Sequence, residues 1–455
     1  MSVEIVILAA GQGTRMYSDL PKVLQPLAGR PMLAHVIDAA EAAGCEGVHV
    51  VYGFGGDEVQ AAMGHRPVFW AHQAEQLGTG HAVAQALPGI QDEQIVVVAY
   101  GDVPLIQPET LSRLAEKAMP DALAILTAVI ADPTGYGRII RDADGQVTRI
   151  VEQKDASPEE QEICEINTGL VAAPASRLRD WLSRVGNDNS QGEYYLTDIA
   201  ELAVADGVPV FAERADSAAE VAGINDRSQL ATAEASIRRR RAEALMSQGC
   251  TLADPARVDI RGPLVSGRDV FVDVGVVFEG QVELGDRVRI GPYCVLRDAI
   301  VEADTTILPH SLIENSQIGP GCSIGPFARL RPGTRLAARA KVGNFVEIKN
   351  TELGEGSKAN HLSYVGDAVV GKDVNIGAGT ITCNYDGANK HRTVIGDRAF
   401  IGSGVELVAP VEVGEGATIG AGSTLGKDAP AEQLTVARAR QVSISSWRRP
   451  VKKKD

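Results

Sequence analysis

Positive charge is scarce in this chain. Lys and Arg total 44 against 59 Asp and Glu, giving a formal net charge of −15. A nucleic-acid binder needs a basic footprint, so no nucleic-acid partner is expected. The two basic stretches, Arg238–Arg241 and Trp447–Lys454, read as a solvated helix face and a tail. Long hydrophobic runs are also missing. None reaches 18 residues, so no membrane insertion is expected. The run Glu4–Ala10 reads as a strand with no basic leader or cleavage site beside it, so no signal peptide is expected. Cysteine is sparse and scattered, at Cys45, Cys164, Cys250, Cys294, Cys322 and Cys383, with no Cys-x-x-Cys pair. That argues against a disulfide framework or a zinc site, and for reduced thiols in a cytoplasmic protein.

A short repeat is present instead. From about Leu264 to Lys427 an aliphatic residue followed by glycine recurs on a period of six. Examples are Leu284-Gly285, Ile290-Gly291, Ile324-Gly325, Val342-Gly343, Ile376-Gly377, Ile401-Gly402 and Ile419-Gly420. Six is too short for a helical repeat and suits one short strand plus one turn. The aliphatic side chain then points inward and the glycine supplies the turn's positive φ. Three units make one triangular coil of roughly 18 residues, and stacked coils pair as parallel strands about 4.8 Å apart.

Residues 1–226 read differently. Strand-like runs at Ile5–Ala9, Val48–Tyr52, Ile95–Tyr100, Leu123–Val129, Ile166–Val171 and Val208–Phe211 alternate with helical stretches at Met32–Ala43, His81–Ala86, Pro108–Ala118 and Thr197–Ala205. The expectation is an α/β, Rossmann-like domain with a mainly parallel sheet and a ligand at the strands' carboxyl ends. Residues 227–248 read as one linker helix, capped by Asp226 or Ser228 and stopped by Gly249. Residues 249–455 hold the repeat and the tail.

The string Leu8-Ala9-Ala10-Gly11-Gln12-Gly13-Thr14-Arg15-Met16 follows the first strand, with Pro21-Lys22 soon after. Gly11 and Gly13 let backbone N–H groups approach a phosphate. Met16 stands where a dinucleotide fingerprint needs its third glycine, and no Gly-Lys-Ser/Thr follows, so neither common phosphate loop applies. The string resembles the signature of the sugar-1-phosphate nucleotidyltransferases. That resemblance implies uracil reading by the segment holding Gln73, Gly78 and Thr79. It implies Mg²⁺ ligation by Asp102 (in Tyr100-Gly101-Asp102) and Asn225, and sugar contacts from Gly137, Glu152 and Asn167. The reaction would be in-line attack of a sugar phosphate on the α-phosphorus of UTP, with Arg15 and Lys22 neutralising the triphosphate.

Within the repeat, Arg331 and Lys349 lie 18 residues apart, so they should stack one coil above the other. The repeat breaks from Thr382 to Thr393, where a loop must project. The prism resembles the hexapeptide-repeat acyltransferases, which implies a left-handed parallel β-helix. Almost the whole chain resembles the bacterial bifunctional family joining a UDP-N-acetylglucosamine pyrophosphorylase to a glucosamine-1-phosphate N-acetyltransferase. That resemblance implies His361 as general base, Glu347 orienting or tuning it, and Asn384 positioning amine and thioester. Arg331, Lys349, Tyr364, Asn375 and Tyr385 would hold the sugar phosphate. Ala378, Ser403, Ala421 and Arg438 would contact acetyl-CoA, with Arg440 the alternative to Arg438. It further implies a homotrimer acting on UTP, acetyl-CoA, glucosamine-1-phosphate and N-acetylglucosamine-1-phosphate, feeding peptidoglycan and lipopolysaccharide synthesis. Two other readings stay open: a pyrophosphorylase whose repeat only oligomerises, and a scaffold of the same plan with no activity.

Overall fold

The computed structural model describes residues 2–452. Lys453 and Lys454, named above in the basic tail, lie outside the described residues. Two compact units emerge, Met1–Ile237 and Arg238–Asp455. The division falls inside the helix Arg227–Ser247 rather than at its ends.

In the first unit, valine- and isoleucine-rich strands form the centre of a sheet because both their faces are buried. Ile5 and Ile7 enter one core and Val6 the other. Across the sheet the strands run Val210–Arg214, Leu123–Val129, Glu165–Pro174, Ile95–Tyr100, Val3–Leu8, Gly47–Tyr52 and Phe69–His72. All neighbours on this path are parallel except at Glu165–Pro174, which is antiparallel to both strands beside it. The edge strand Phe69–His72, the hairpin Arg138–Arg141 with Val147–Val151, and the helices Gly56–Met63 and Ala175–Arg184 were not expected. The strands are too short to show a period, whereas Ala175, Leu178, Trp181 and Leu182 follow helical spacing and were overlooked. One register decides the site. Leu8 pairs with Tyr100, and the Gly101 N–H donates to the Leu8 carbonyl at 2.9 Å. The loop after each strand therefore starts at the same level.

The second unit is a parallel β-helix whose coils start before the repeat is visible. Thr251–Leu252 already pairs with Phe271–Val272, and the last strand, Leu434–Thr435, pairs with Thr418–Ile419 beyond Lys427. These outer coils keep the inward aliphatic residues, such as Leu252, Val258 and Ile260, without the glycine partner. Eleven strands make one face, and the other two faces belong to a sixteen-stranded sheet. Inward residues such as Ile290, Ile324 and Ile348 are fully buried, each stabilising the coil by roughly 1.5–3 kcal/mol.

Of the repeat glycines named above, Gly325 supplies the expected positive φ, 96°, and the others do a different job. Gly343 and Gly354 have no positive φ. A Cβ on Gly343 would collide with the carbonyl of Asn360, and one on Gly354 with that of Gly371. Glycine is there so that successive coils can touch. The left-handed corners fall elsewhere and mostly carry side chains. Tyr293, His310, Phe327, Phe345 and Leu362 occupy one corner of successive coils, with φ between 49° and 61°. Their rings stack at centroid distances of 5.3, 4.9 and 5.3 Å.

The first half of the helix Arg227–Ser247 belongs to the first unit's core. Ala233 and Ile237 pack with Leu27, Met32, Leu105 and Ile224. A fragment of residues 1–228 should therefore be less stable than one of residues 1–237, by about 2–3 kcal/mol for the lost burial. Urea denaturation of both fragments checks this, and equal midpoints and slopes would contradict the packing described.

Candidate functional sites

The amino-terminal site forms at the carboxyl ends of the strands Val3–Leu8 and Ile95–Tyr100. A cavity of about 230 Å³ opens there, lined among others by Leu8, Ala9, Ala10, Gly11, Lys22, Gln73, Gly78, Thr79, Tyr100 and Asp102. Nothing lies within 4 Å of where a Cβ on Gly11 would be, so this backbone faces open space. Gly13, at φ 65°, leaves room for the Lys22 side chain against it. Arg15 is exposed on the loop.

The Lys22 ammonium joins residues far apart in sequence. It makes an ion pair with Asp102 and donates to Asn225 Oδ1 at 3.1 Å. Two side-chain oxygens thus converge on one cation. The same pair suits a hard divalent ion that keeps most of its shell for water and phosphate oxygens. Among the described residues no cluster of three His, Cys, Asp or Glu could hold a metal by itself.

The sugar-side candidates adjoin this cavity. The Asn167 N–H donates to the Gly137 carbonyl at 2.8 Å, and a Cβ on Gly137 would come within 3.6 Å of Glu152 Oε1. Burial raises the Glu152 pKa, against a hydrogen bond from Thr197 at 3.2 Å. Burial also raises the Tyr100 pKa, helped by the nearby charges of Glu152 and Asp102. Gln76, within the segment expected to read the base, lines the cavity as well, and Val23, Ala82 and Glu193 join it without having been foreseen. Glu193 arrives from a distant loop that closes on the helix Thr79–Ala86, with Gly80 N–H donating to the Tyr194 carbonyl at 2.9 Å.

On the β-helix, coil register sorts the candidates into two groups. Asn344 pairs with His361, and the register of the strands before them, carried two residues on, sets Ala378, Ser403 and Ala421 in the same column, with Gly404 N–H donating to the Ala378 carbonyl and Gly422 N–H to that of Ser403. Arg438 donates to the Ala421 carbonyl, which places Arg438 rather than Arg440 at the end of that column. Asn375 lies on the same face, paired with Lys358 and Phe400. Beyond the corner at Leu362, Arg331 stacks on Lys349 as the spacing expects. The inserted loop brings Asn384 onto Asp367 and, at 3.4 Å, the Tyr364 hydroxyl. Tyr385 stays 61% exposed.

Within one chain Glu347 faces Arg331 and not His361. It accepts from Arg331 at 2.8 Å, which holds the Arg331 pKa up. The partner of His361 is Asn344, whose Oδ1 lies 2.6 Å from Nδ1. An acceptor there fixes the proton on Nδ1 and leaves Nε2 as a base. Within one chain Glu347 sits past the corner and pairs with Tyr364, whereas Asn344 is one coil below His361. Lys390 was missed altogether. It lies beside Lys349, and that neighbouring ammonium holds the Lys390 pKa down. Two adjoining ammonium groups form an anion site. Because Lys390 lies in the insertion, coil arithmetic gave no signal for it.

Residues 5–143 match the model of the MobA-like NTP transferase domain, and residues 392–427 that of the bacterial transferase hexapeptide, six repeats. The bifunctional protein GlmU of Aromatoleum aromaticum is 58% identical over 452 residues, 99% of this chain and 99% of that protein. Those of an Azoarcus species and of Alkalilimnicola ehrlichii are 59% and 58% identical, covering 99% and 100% of this chain and 100% and 98% of theirs. This chain belongs to the GlmU family. It is a bifunctional transferase, with a nucleotidyltransferase unit and an acetyltransferase-type hexapeptide unit. Among solved structures, a nucleotidyl transferase from Methanothermobacter is 22% identical, with a TM-score of 0.39, and covers 52% of this chain and 99% of its own. No helix of the described residues is long and apolar enough to cross a membrane.

One titration near the sugar side is measurable. Burial pushes the Asp198 carboxyl up to about 6, with further push from Glu152, Glu201 and Asp155. A carboxyl raised by folding favours the folded state while protonated. Its contribution is complete below about pH 4 and lost as pH rises through about 6. Asp198→Asn should therefore raise stability at pH 8 by about 1 kcal/mol after solvent screening, and leave it unchanged at pH 4. Denaturant titrations of both proteins at the two pH values check the sign.

Proposed function

We propose that the first unit transfers a uridylyl group from UTP to N-acetylglucosamine-1-phosphate, releasing pyrophosphate, and that the second transfers acetyl from acetyl-CoA to glucosamine-1-phosphate. Family membership supports both activities. The observation that carries the first is the convergence of Asp102 and Asn225 on one cation beside the open Gly11 backbone.

In uridylyl transfer the attacking group is already an anionic phosphate, so no protein base is needed. The work is charge neutralisation and alignment. Arg15, Lys22 and the N–H groups of the Ala9–Gly13 backbone take the triphosphate. Gln73, Gly78 and Thr79 seat the base. Gly137, Glu152 and Asn167 orient the sugar phosphate behind Asp102, with Tyr100 and Gly101 forming the floor between the two. Mg²⁺ held by Asp102 and Asn225 would supply Lewis acidity between the two phosphates.

In acetyl transfer the amine of glucosamine-1-phosphate attacks the thioester carbonyl. His361 Nε2 takes the amine's proton as the C–N bond forms, and the C–S bond breaks to release CoA thiolate, which is then protonated. Asn344 holds the tautomer that makes this possible. Arg331, Lys349 and Lys390 would hold the phosphate, and Tyr364, Asn375, Asn384 and Tyr385 the sugar. Ala378, Ser403 and Ala421 leave a smooth column for CoA, closed by Arg438. The acetylated product is the substrate of the first site. The reactions belong in the cytoplasm, upstream of cell-wall and lipopolysaccharide precursors.

The enzyme assembles as a homotrimer with acetyl-transfer sites shared between chains. Supporting this, apolar side chains beside the site stay open within one chain, including Phe345 at 56% and Leu362 at 62% exposure. The tail leaves Val442, Ile444 and Trp447 exposed as well.

Asp102→Ala should lower UTP turnover by at least about 10³-fold while acetyl transfer persists. His361→Ala should do the reverse, costing about 10²–10⁴-fold. Separate assays of both half-reactions on each full-length variant check this, and loss of both activities in one folded variant would contradict two independent sites. A sedimentation measurement tests assembly: a fully active monomer would overturn the trimer.

A further inference from the structure

We infer that His81 fixes the base specificity of the amino-terminal site by locking the carboxamide of Gln73. The inference rests on the uridylyl-transfer reading of that site.

Gln73 is 3% exposed and lines the cavity. Its Nε2 donates to the Gly78 carbonyl at 3.1 Å and lies 3.1 Å from His81 Nδ1. The first contact settles which way the amide faces. A carbonyl oxygen only accepts, so turning the amide over would set two acceptors against each other. The second contact then uses the other amide hydrogen, and His81 must offer Nδ1 as an acceptor, its proton on Nε2. His81 sits in the first turn of the helix Thr79–Ala86, one turn before Gln85, whose side-chain amide donates to the His81 carbonyl at 3.1 Å. With both N–H groups committed, the only atom Gln73 can offer a ligand is the acceptor Oε1.

That pattern separates the pyrimidines. Uracil presents a donor, N3–H, on its pairing edge, while cytosine presents an N3 lone pair there. A fixed acceptor pairs with the first and repels the second. Neither Gln73 nor Gly78 enforces this alone, because one hydrogen bond leaves the carboxamide free to swing. His81 supplies the second restraint without touching the nucleotide, which makes it a positioning residue.

The test is the ratio of kcat/KM for UTP to that for CTP in the full-length enzyme. His81→Leu removes the acceptor and leaves a buried N–H unpaired, so the ratio should fall by about 10–100-fold. The loss should appear mainly in KM for UTP. His81→Asn should restore the ratio, because its Oδ1 can stand where Nδ1 stood. Acetyl transfer in the same proteins reports that the chain is folded. Gln73→Leu is the control for the underlying reading. If Gln73→Leu loses the preference and folded His81→Leu keeps it, the role of His81 is overturned while the base pocket stands. If Gln73→Leu itself keeps the preference, the base is read elsewhere and both fall. Should His81→Leu not fold, His81→Ala carries the same comparison, and an unchanged ratio there overturns the inference equally.

Discussion

Parallel strand pairing locks residues at equal heights, because each backbone hydrogen bond ties a strand to a fixed partner on the next. Both units depend on this. In the first, the Leu8–Tyr100 register sets the glycine loop level with Asp102. In the second, a coil period near 18 residues turns distance along the sequence into vertical columns. Asn344, His361, Ala378, Ser403 and Ala421 form one such column, although 77 positions separate its ends (421 − 344). The register survives the inserted loop, since Val369 still pairs with Val394. Chemistry can therefore be carried on a projecting loop without disturbing the stack beneath it.

The two sites handle charge in different ways. At the first, the problem is bringing two polyanions together, and the protein answers with a lysine already seated between two oxygen donors. Any cation that joins Asp102 and Asn225 must share them with, or displace, the Lys22 ammonium. At the second, in the reading proposed above, one proton must be removed, and His361, its Nδ1 held by the Asn344 amide, would take it. The carboxylate nearby is given to Arg331 instead. That leaves the phosphate side cationic without placing an anion against the base.

Much of this was legible in the sequence because strong periods and contiguous strings carry it. The alternation of Ile5, Val6 and Ile7 marks a strand buried on both faces, and the aliphatic–glycine period marks the coils. Which role each glycine plays was not legible, since close approach between coils and a positive φ select the same residue, as Gly343 and Gly325 show. Asn344, Lys390 and Glu193 were missed for a shared reason: each is brought to its site by tertiary register or loop closure, which leaves no local signature. The edge strand Phe69–His72 is too short to show a period, whereas the helix Ala175–Arg184 carries one, at Ala175, Leu178, Trp181 and Leu182, that was overlooked. Asn344 and Glu347 lie three residues apart, yet a corner of the prism separates them and gives them different partners within one chain.

Removing whole and partial coils tests the dependence on register most directly. Asp304 N–H donates to the Asp286 carbonyl across one coil at 2.9 Å, so deleting residues 287–303 rejoins the chain in register and shortens the stack by a full turn. Deleting residues 287–292 alone removes one face and rotates everything after it. Acetyl transfer, measured on both proteins after confirming cooperative unfolding, should persist within about tenfold in the first and vanish in the second. Activity that survives the partial deletion, or disappears in a well-folded full-coil deletion, would contradict the account.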